Sequence, residues 1–108
     1  MNNKNTKSAE PIYFTLTGTE YWHGSAFLGK PDKEYYVKLA KEPDNEHDRE
    51  AIMVTMPGVG QIGYVANSPY TVIGESSSAG RLYDKIGDSA QGKVLHVLPD
   101  GVLCVLEE

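Results

Sequence analysis

Short segments of β-forming residues, separated by turns, place the strongest limit on how this chain can fold. Eleven glycines and six prolines punctuate its 108 residues, as is typical of turns between strands. Six of the segments between them alternate apolar and polar side chains or are rich in β-branched and aromatic residues. They are residues 12–19, 35–42, 51–56, 61–66, 93–99 and 102–107. The sequence therefore predicts a mainly β protein.

The β pattern stops between residues 66 and 92, where a helix is expected. Serines precede a run that ends at Gly87, and apolar residues recur in it at helical spacing, at Ala79, Leu82, Tyr83 and Ile86. This spacing predicts a helix over roughly 77–86. Ser68-Pro69 favours a second, shorter helix near 69–73, because proline is tolerated at the first helical position.

The end of the chain completes a closed β architecture. Asp100-Gly101 lies between the last two predicted strands and suits the two-residue turn of a hairpin. Six strands with one helix inserted late predict a small six-stranded barrel of the OB-like or SH3-like kind. Closing the sheet also removes the exposed edges that such apolar strands would otherwise present.

Length and composition indicate one domain. The polar residues 1–10 are expected to form a disordered lead, which leaves residues 11–108 as a single domain. No apolar run approaches the roughly 20 residues that a membrane helix needs. The N-terminus lacks the hydrophobic segment of a secretory signal, and a single cysteine, Cys104, fits a reducing compartment. A cytoplasmic location is expected, without membrane attachment.

Spacing argues against the familiar cofactor and metal sites. Residues 58–63 spell G-x-G-x-x-G, but they read as a turn and a strand rather than the start of a nucleotide-binding helix. Acids alternate from Asp44 to Glu50, yet a calcium loop starting at Asp44 would need glycine where Arg49 stands and glutamate where Thr55 stands. The three histidines show no zinc spacing. We expect neither a cofactor nor a metal.

An enzyme is the weaker functional class. The segment GESSS lacks the glycine that a nucleophile elbow requires, and Cys104 lies in an apolar strand where a buried, unreactive thiol is expected. His47 and Asp48 could serve as acid and base. Adjacent residues of an extended chain point to opposite faces, however, so this pair need not converge. No catalytic residue is assigned.

The aromatic pair Tyr21 and Trp22 is a candidate binding surface. Both residues follow a predicted strand end and precede a glycine-containing loop. One ring could belong to the core and the other could cover the barrel mouth. Alternatively, the two could stack on bases, as small barrels do when they bind single strands.

Three stretches together resemble the HIRAN domain family. They are TGTEYWHG at 17–24, YVKLAKEPDNEHDREAIMV at 36–54 and IGYV at 62–65. The most specific part is E-P-x-N-x-x-D-x-x-A-I followed by I-G-Y, and the resemblance extends over about residues 13–106. The family occurs fused to DNA-repair helicases and remodellers and also as a lone bacterial protein. The resemblance implies an OB-like barrel that binds single-stranded DNA at its 3′-hydroxyl end without catalysing a reaction.

The resemblance also implies roles for individual residues. Asp48 matches the acid that accepts a hydrogen bond from the terminal 3′-hydroxyl, and His47 matches an aromatic position that touches the terminal nucleotide. Tyr21 matches a stacking tyrosine, Asn45 a polar residue at the rim of the pocket, and Tyr64 a group that contacts the end. A carboxylate accepts from a hydroxyl and repels a phosphate, so these roles are chemically consistent.

Two positions depart from the DNA-binding pattern. Glu20 stands where such members carry an arginine, and Asn67 stands at a lysine position, so two phosphate partners are missing. The formal net charge of −5 also argues against non-specific binding to a phosphate backbone, although a local site with few contacts remains open. Two alternatives follow. Asn45 and Asp48 could brace the turn rather than bind a ligand. The whole domain could be a protein-interaction module, with a partner such as a helicase or nuclease.

Overall fold

A computed structural model of the protein describes residues 10–19 and 34–107. Six strands and one helix lie in these ranges. In chain order they are β1 (Tyr13–Thr17), β2 (Tyr36–Lys41), β3 (Ile52–Met56), β4 (Gly60–Val65), α1 (Ala79–Tyr83), β5 (Ser89–Leu98) and β6 (Gly101–Glu107). Nearly all of the predicted lead, residues 1–10, lies outside the described ranges, and its disorder stays a prediction.

The six strands form one closed barrel in which every neighbouring pair is antiparallel. The strand order around the barrel is β1-β4-β3-β2-β5-β6. The pairing between β1 and β4 is the shortest, with the partners Leu16–Val65 and Thr17–Tyr64. Closure leaves no sheet edge running the length of the molecule, which is how a barrel avoids edge pairing. The predicted fold class, a mainly β six-stranded barrel, is confirmed.

The core fills the barrel and reaches the helix. Alternate residues of the strands point inward, so β3 buries Ile52, Val54 and Met56 while Met53 and Thr55 stay half-buried. The helix adds Ala79 and Leu82, both fully buried. Inward-facing apolar residues of β1, β2, β4 and β6 complete the cluster, among them Phe14, Leu16, Leu39, Ile62 and Val102.

The helix is shorter than the predicted range 77–86. Ser78 is its N-cap and accepts a hydrogen bond from the Arg81 amide, so the helix begins only at Ala79. Ser77 is held outside, because its amide donates to the Tyr13 carbonyl at 2.7 Å. No helix in the described parts of the chain is long and apolar enough to cross a membrane.

The second helix predicted near 69–73 is a single turn instead. The amides of Thr71 and Val72 both donate to the Ser68 carbonyl, as at the start of a helix. The next amide, that of Ile73, donates at 3.0 Å to the Thr15 hydroxyl rather than back along the turn. A tertiary hydrogen bond therefore ends the helical pattern after one turn.

Strand β5 begins at Ser89, four residues before the predicted start. Residues 89–92 are Ser-Ala-Gln-Gly, and because Gly and Ala are depleted in strands and no β-branched or aromatic residue is present, this stretch carries no strand pattern of its own. It becomes a strand by pairing with β2, where Leu39 lies opposite Ala90 and Val37 opposite Gly92. The predicted hairpin between the last two strands is present, but its two turn residues are Pro99 and Asp100, since Leu98 pairs with Gly101.

A ring of three hydrogen bonds fastens the segment after β4 to the first strand. The Thr15 hydroxyl accepts from the Ile73 amide, and the Ser76 hydroxyl donates to the Ile73 carbonyl at 2.8 Å. Because the Ser76 proton is thus engaged, Thr15 must donate to the Ser76 oxygen, 2.8 Å away. Thr15 and Ser76 are both buried, so water cannot replace these bonds without local opening.

Thr15→Val is expected to destabilise the fold by about 1–2 kcal/mol, because the partly buried Ile73 amide would lose its acceptor without any change in side-chain shape. Urea denaturation followed by circular dichroism measures this change. Thr55→Val, at a half-buried position on β3, is the matched control and should shift the midpoint much less. Equal midpoints for the two variants would contradict a stabilising role for the ring.

Candidate nucleic-acid interface

The polar turn between β2 and β3, residues 42–50, is folded on its own backbone. The Glu42 amide donates to the Ala51 carbonyl at 2.9 Å, and the Ala51 amide donates to the Asp48 carbonyl at 3.0 Å. The Asn45 amide returns to the Glu42 carbonyl at 3.0 Å. Backbone hydrogen bonds therefore hold both ends of the turn, and the turn has a defined shape even without its side-chain contacts.

Asn45 stabilises the inside of this turn. Its Oδ1 accepts from the amides of His47 and Asp48, at 2.8 and 3.0 Å. Its Nδ2 donates to Glu42 Oε1 at 3.0 Å. An asparagine that bonds to the backbone two and three residues on is a common way to build such a turn. Asn45 therefore braces the turn, which is one of the two roles that the sequence left open.

Both carboxylate oxygens of Asp48 are hydrogen-bonded within the protein. Oδ1 accepts from the Glu50 amide at 2.9 Å, and Oδ2 accepts from Asn67 Nδ2 at 2.9 Å. The Asp48 carboxylate thus binds its own turn and the segment after β4, which is the structural role that the sequence left open. A carboxylate oxygen accepts more than one hydrogen bond, and Asp48 is only half-buried, so it retains capacity for a further donor.

Asn67 joins the turn to the helix. Its Nδ2 donates to Asp48 and, at 3.3 Å, to Glu50 Oε1, while its Oδ1 accepts from the Gly80 amide at 2.8 Å. The helix end lies close enough that a Cβ on Gly80 would stand 2.7 Å from Glu50 Oε1. These hydrogen bonds hold the Asn67 side chain in one position, and Asn67 in turn fixes the position of Asp48. It is not a flexible substitute for a phosphate-binding lysine.

Tyr64 reaches the turn from β4. Its hydroxyl donates to Glu42 Oε1 at 2.9 Å, the same oxygen that Asn45 contacts. Burial raises the pKa of this hydroxyl above the ordinary tyrosine value, and the Glu42 carboxylate adds to the rise while Gln61 opposes it. Tyr64 therefore stays protonated and holds the turn against the sheet.

The predicted site residues divide into three groups. Asn45, Asp48 and Asn67 lie in one hydrogen-bonded network, and Tyr64 joins it through Glu42. His47 is exposed on the turn beside Asp48. Tyr21 and Trp22 lie outside the described residues, as does Glu20, so their expected roles remain untested.

Glu42 and Glu50 belong to the network, and the sequence reasoning did not propose them as site residues. Glu42 accepts from Asn45 and Tyr64, and the Glu50 amide and carboxylate bracket Asp48 and Asn67. The available signal was the motif itself, which begins with the glutamate at position 42 and spaces it three residues before an asparagine.

Charge and chemistry limit what the turn can do. Residues 42–50 hold five carboxylates and one arginine, a formal charge of −4 with His47 neutral. Within the described ranges no group of three or more acids, histidines or cysteines is arranged to hold a metal ion.

Cys104 lies away from the turn, in β6. Burial raises the pKa of its thiol to about 12, so the thiol stays protonated.

Comparison with known proteins places the chain in a family. The family model of the HIRAN domain matches residues 10–85, which is most of the chain and includes the whole network described above. Strands β5 and β6 follow the matched region. No curated protein and no solved structure shows significant similarity to the chain. The chain belongs to the HIRAN domain family, a family of nucleic-acid-binding rather than catalytic domains.

Proposed function

We propose that this domain binds single-stranded DNA at a free 3′-hydroxyl end, on the surface formed by the turn 42–50 and Tyr64. The observation that carries the proposal is the position of Asp48. One hydrogen bond holds each of its carboxylate oxygens, from Glu50 and from Asn67, and the side chain remains half-exposed. A fixed, accessible carboxylate is suited to accept a hydrogen bond from a hydroxyl without reorganising.

Electrostatics favour a hydroxyl end over a phosphorylated one. Hydrogen bonds from a hydroxyl to a carboxylate are short and strong because the acceptor is charged. A terminal phosphate would instead bring like charges together, at a cost of about 4 kcal/mol for unit charges 4 Å apart near a protein surface. The charge of −4 on the turn strengthens this discrimination and weakens overall affinity. The domain is therefore expected to recognise an end and not to grip a strand along its length.

Neighbouring side chains complete the proposed site. His47, exposed next to Asp48, is positioned to contact the terminal nucleotide, and Tyr64 supports the turn beneath it. Tyr21 and Trp22 are proposed to stack on the terminal bases, where each stacked base contributes about 1–3 kcal/mol. In this assignment Asn45 and Asn67 position Asp48 and do not touch the DNA.

Fluorescence anisotropy with short oligonucleotides at low salt tests the proposal. An oligonucleotide with a 3′-hydroxyl is expected to bind at least about tenfold more tightly than the same oligonucleotide with a 3′-phosphate, a difference of about 1.4 kcal/mol. Blocking the 5′ end should have little effect. Equal affinity for the two 3′ ends would refute recognition of the hydroxyl.

A matched pair of variants tests whether the Asp48 carboxylate causes the preference for a 3′-hydroxyl over a 3′-phosphate. Asp48→Asn removes the charge that repels a phosphate, so the preference for the 3′-hydroxyl should fall several-fold. Asp44→Asn makes the same charge change at an exposed position of the same turn and should keep the preference. Thermal unfolding of both variants verifies that the fold survives. An unchanged preference in a folded Asp48→Asn variant would show that another group reads the end.

A protein-interaction module is the second candidate function. It is favoured by the commitment of Asn67 to internal hydrogen bonds at a position where a phosphate-binding lysine is expected, together with the acidic turn. A helicase or nuclease is the kind of partner proposed. Failure of the wild-type protein to bind any oligonucleotide at low salt would favour this function over the first.

A further inference from the structure

An open groove lies on the far side of Asn67 from the acidic turn. It is enclosed by residues 67–78 and the helix, and its volume is about 640 Å³, within the range of small-molecule sites. Its lining combines hydroxyl-bearing, apolar and charged residues, chiefly Ser68, Pro69, Val72, Glu75, Ser78 and Arg81. The short motifs E-P-x-N-x-x-D-x-x-A-I and I-G-Y do not include the residues of this groove, and the proposed contact at Asp48 does not use it.

Asn67 connects the groove to Asp48, the carboxylate that we propose binds the strand end. Asn67 lines the groove, and its Nδ2 is the atom that holds Asp48 Oδ2 at 2.9 Å. A strand whose terminal hydroxyl lies at Asp48 must leave that position in some direction. The groove offers a concave, connected path for its next nucleotide.

Charge also distinguishes the groove from the turn. Glu75 and Arg81 balance each other in the groove, whereas the turn carries a formal charge of −4. Arg81 is exposed, and within the described ranges the only ion pair is that of Lys93 with Glu34, so its guanidinium has no carboxylate partner there. An unpaired guanidinium beside hydroxyl groups is suited to a phosphate.

An exposed aromatic residue, Tyr70, lies in the chain segment that lines the groove, although it is not itself a lining residue. Tyr70 follows Pro69 of the lining and is 95% exposed, far more than the other large apolar side chains exposed in the described ranges. Its backbone is nevertheless fixed, because its amide donates to the Ser68 hydroxyl at 3.1 Å and the Thr71 amide donates to the Ser68 carbonyl at 2.9 Å. A solvent-exposed ring on a fixed backbone is accessible for base stacking.

We propose that this groove binds the nucleotide that precedes the terminal one, with Arg81 contacting its phosphate and Tyr70 stacking on a base. The inference rests on the proposed function, because it assumes a strand that ends at Asp48. It adds a second subsite and supplies a phosphate partner in a chain that carries asparagine at position 67. Strand length beyond the last nucleotide should therefore increase affinity.

Anisotropy with an oligothymidylate of about six nucleotides bearing a 3′-hydroxyl tests the groove. Arg81→Gln should weaken binding about three- to tenfold and reduce the slope of log K against log salt by about 0.7, the value for one phosphate contact on a single strand. Lys85→Gln removes an exposed cation two residues beyond the end of the helix, outside the groove, and should change neither quantity.

Further variants separate stacking and charge. Tyr70→Ala should weaken binding about fivefold or more, in line with the loss of one stacked base, while Tyr70→Phe should bind like the wild type. Glu75→Gln should tighten binding, because it removes the acid that opposes Arg81 in the groove. The replaced side chains are exposed, so the folds should remain intact.

End preference distinguishes failure of the groove from failure of the proposed function. All groove variants should still prefer a 3′-hydroxyl over a 3′-phosphate, since Asp48 is untouched. If the wild-type protein shows this preference but Arg81→Gln and Tyr70→Ala both bind with wild-type affinity, the groove is not a subsite. If the wild-type protein binds no oligonucleotide, the proposed function and the groove inference both fall.

Discussion

Gly63→Ala is expected to destabilise the barrel by about 3 kcal/mol or more, at the upper end of the range for overpacked sites. A Cβ at this position would overlap the Thr17 carbonyl oxygen and stand 2.8 Å from Leu16 Cδ1. The carbonyl belongs to backbone that cannot move away cheaply. Strands β1 and β4 are held together by the shortest pairing in the barrel, so separating them to make room would open the closed sheet.

Equilibrium unfolding in urea, read against a second glycine variant, tests this prediction. Gly87→Ala is the matched control, because a Cβ there meets nothing within 4 Å. It should change the free energy of unfolding by less than about 0.5 kcal/mol. Gly63 is the glycine of the I-G-Y motif. If the two variants unfolded at the same denaturant concentration, the close packing around Gly63 would not matter for stability. The motif glycine would then have no packing reason.

Asn45→Ala is expected to destabilise the protein by about 2–3 kcal/mol. The change removes the acceptor for two backbone amides, those of His47 and Asp48, and the donor to Glu42. Each lost hydrogen bond contributes about 1 kcal/mol, and the partly buried Asp48 amide left unpaired adds to this cost. Loosening of the turn should also weaken binding of a 3′-hydroxyl end, because the same turn carries Asp48.

His47→Ala is the control for stability, since it alters an exposed side chain of the same turn and keeps the backbone amide that Asn45 accepts from. Its free energy of unfolding should stay within about 0.5 kcal/mol of the wild type. Chemical denaturation of both variants provides the comparison. Similar stability of the two would mean that the bonds to Asn45 do not hold the turn.

The barrel was predictable because alternating side chains encode which face of a strand is buried. In β2, alternation assigns Val37 and Leu39 to one face, and the core covers these two residues while Tyr36 and Lys38 are exposed. The last hairpin was predictable from its turn residues, with a shift of one position. Residues 89–92 could not be predicted, because they are strand only through their pairing with β2.

The sequence singled out four residues of the hydrogen-bonded network, Asn45, Asp48, Tyr64 and Asn67, but not the partners of each. The motif identified Asn45 and Asp48, but it left open whether each served the turn or a ligand. That choice depends on Asn67, which is distant in sequence and meets Asp48 only when β4 has folded beside the turn. Likewise, the one-turn limit on residues 68–72 depends on Thr15 of the first strand. Such long-range hydrogen bonds leave no local sequence pattern.

The most direct test of the central claim is an NMR titration with a short oligonucleotide ending in a 3′-hydroxyl. The Glu50 amide and the Asn67 side-chain amide each donate to one oxygen of Asp48, so their resonances report separately on that carboxylate. Both are predicted to shift on titration with the 3′-hydroxyl oligonucleotide and to stay nearly unchanged with the 3′-phosphate form. Identical shifts for the two oligonucleotides, or shifts confined to residues away from the turn 42–50, would contradict recognition of the end by Asp48.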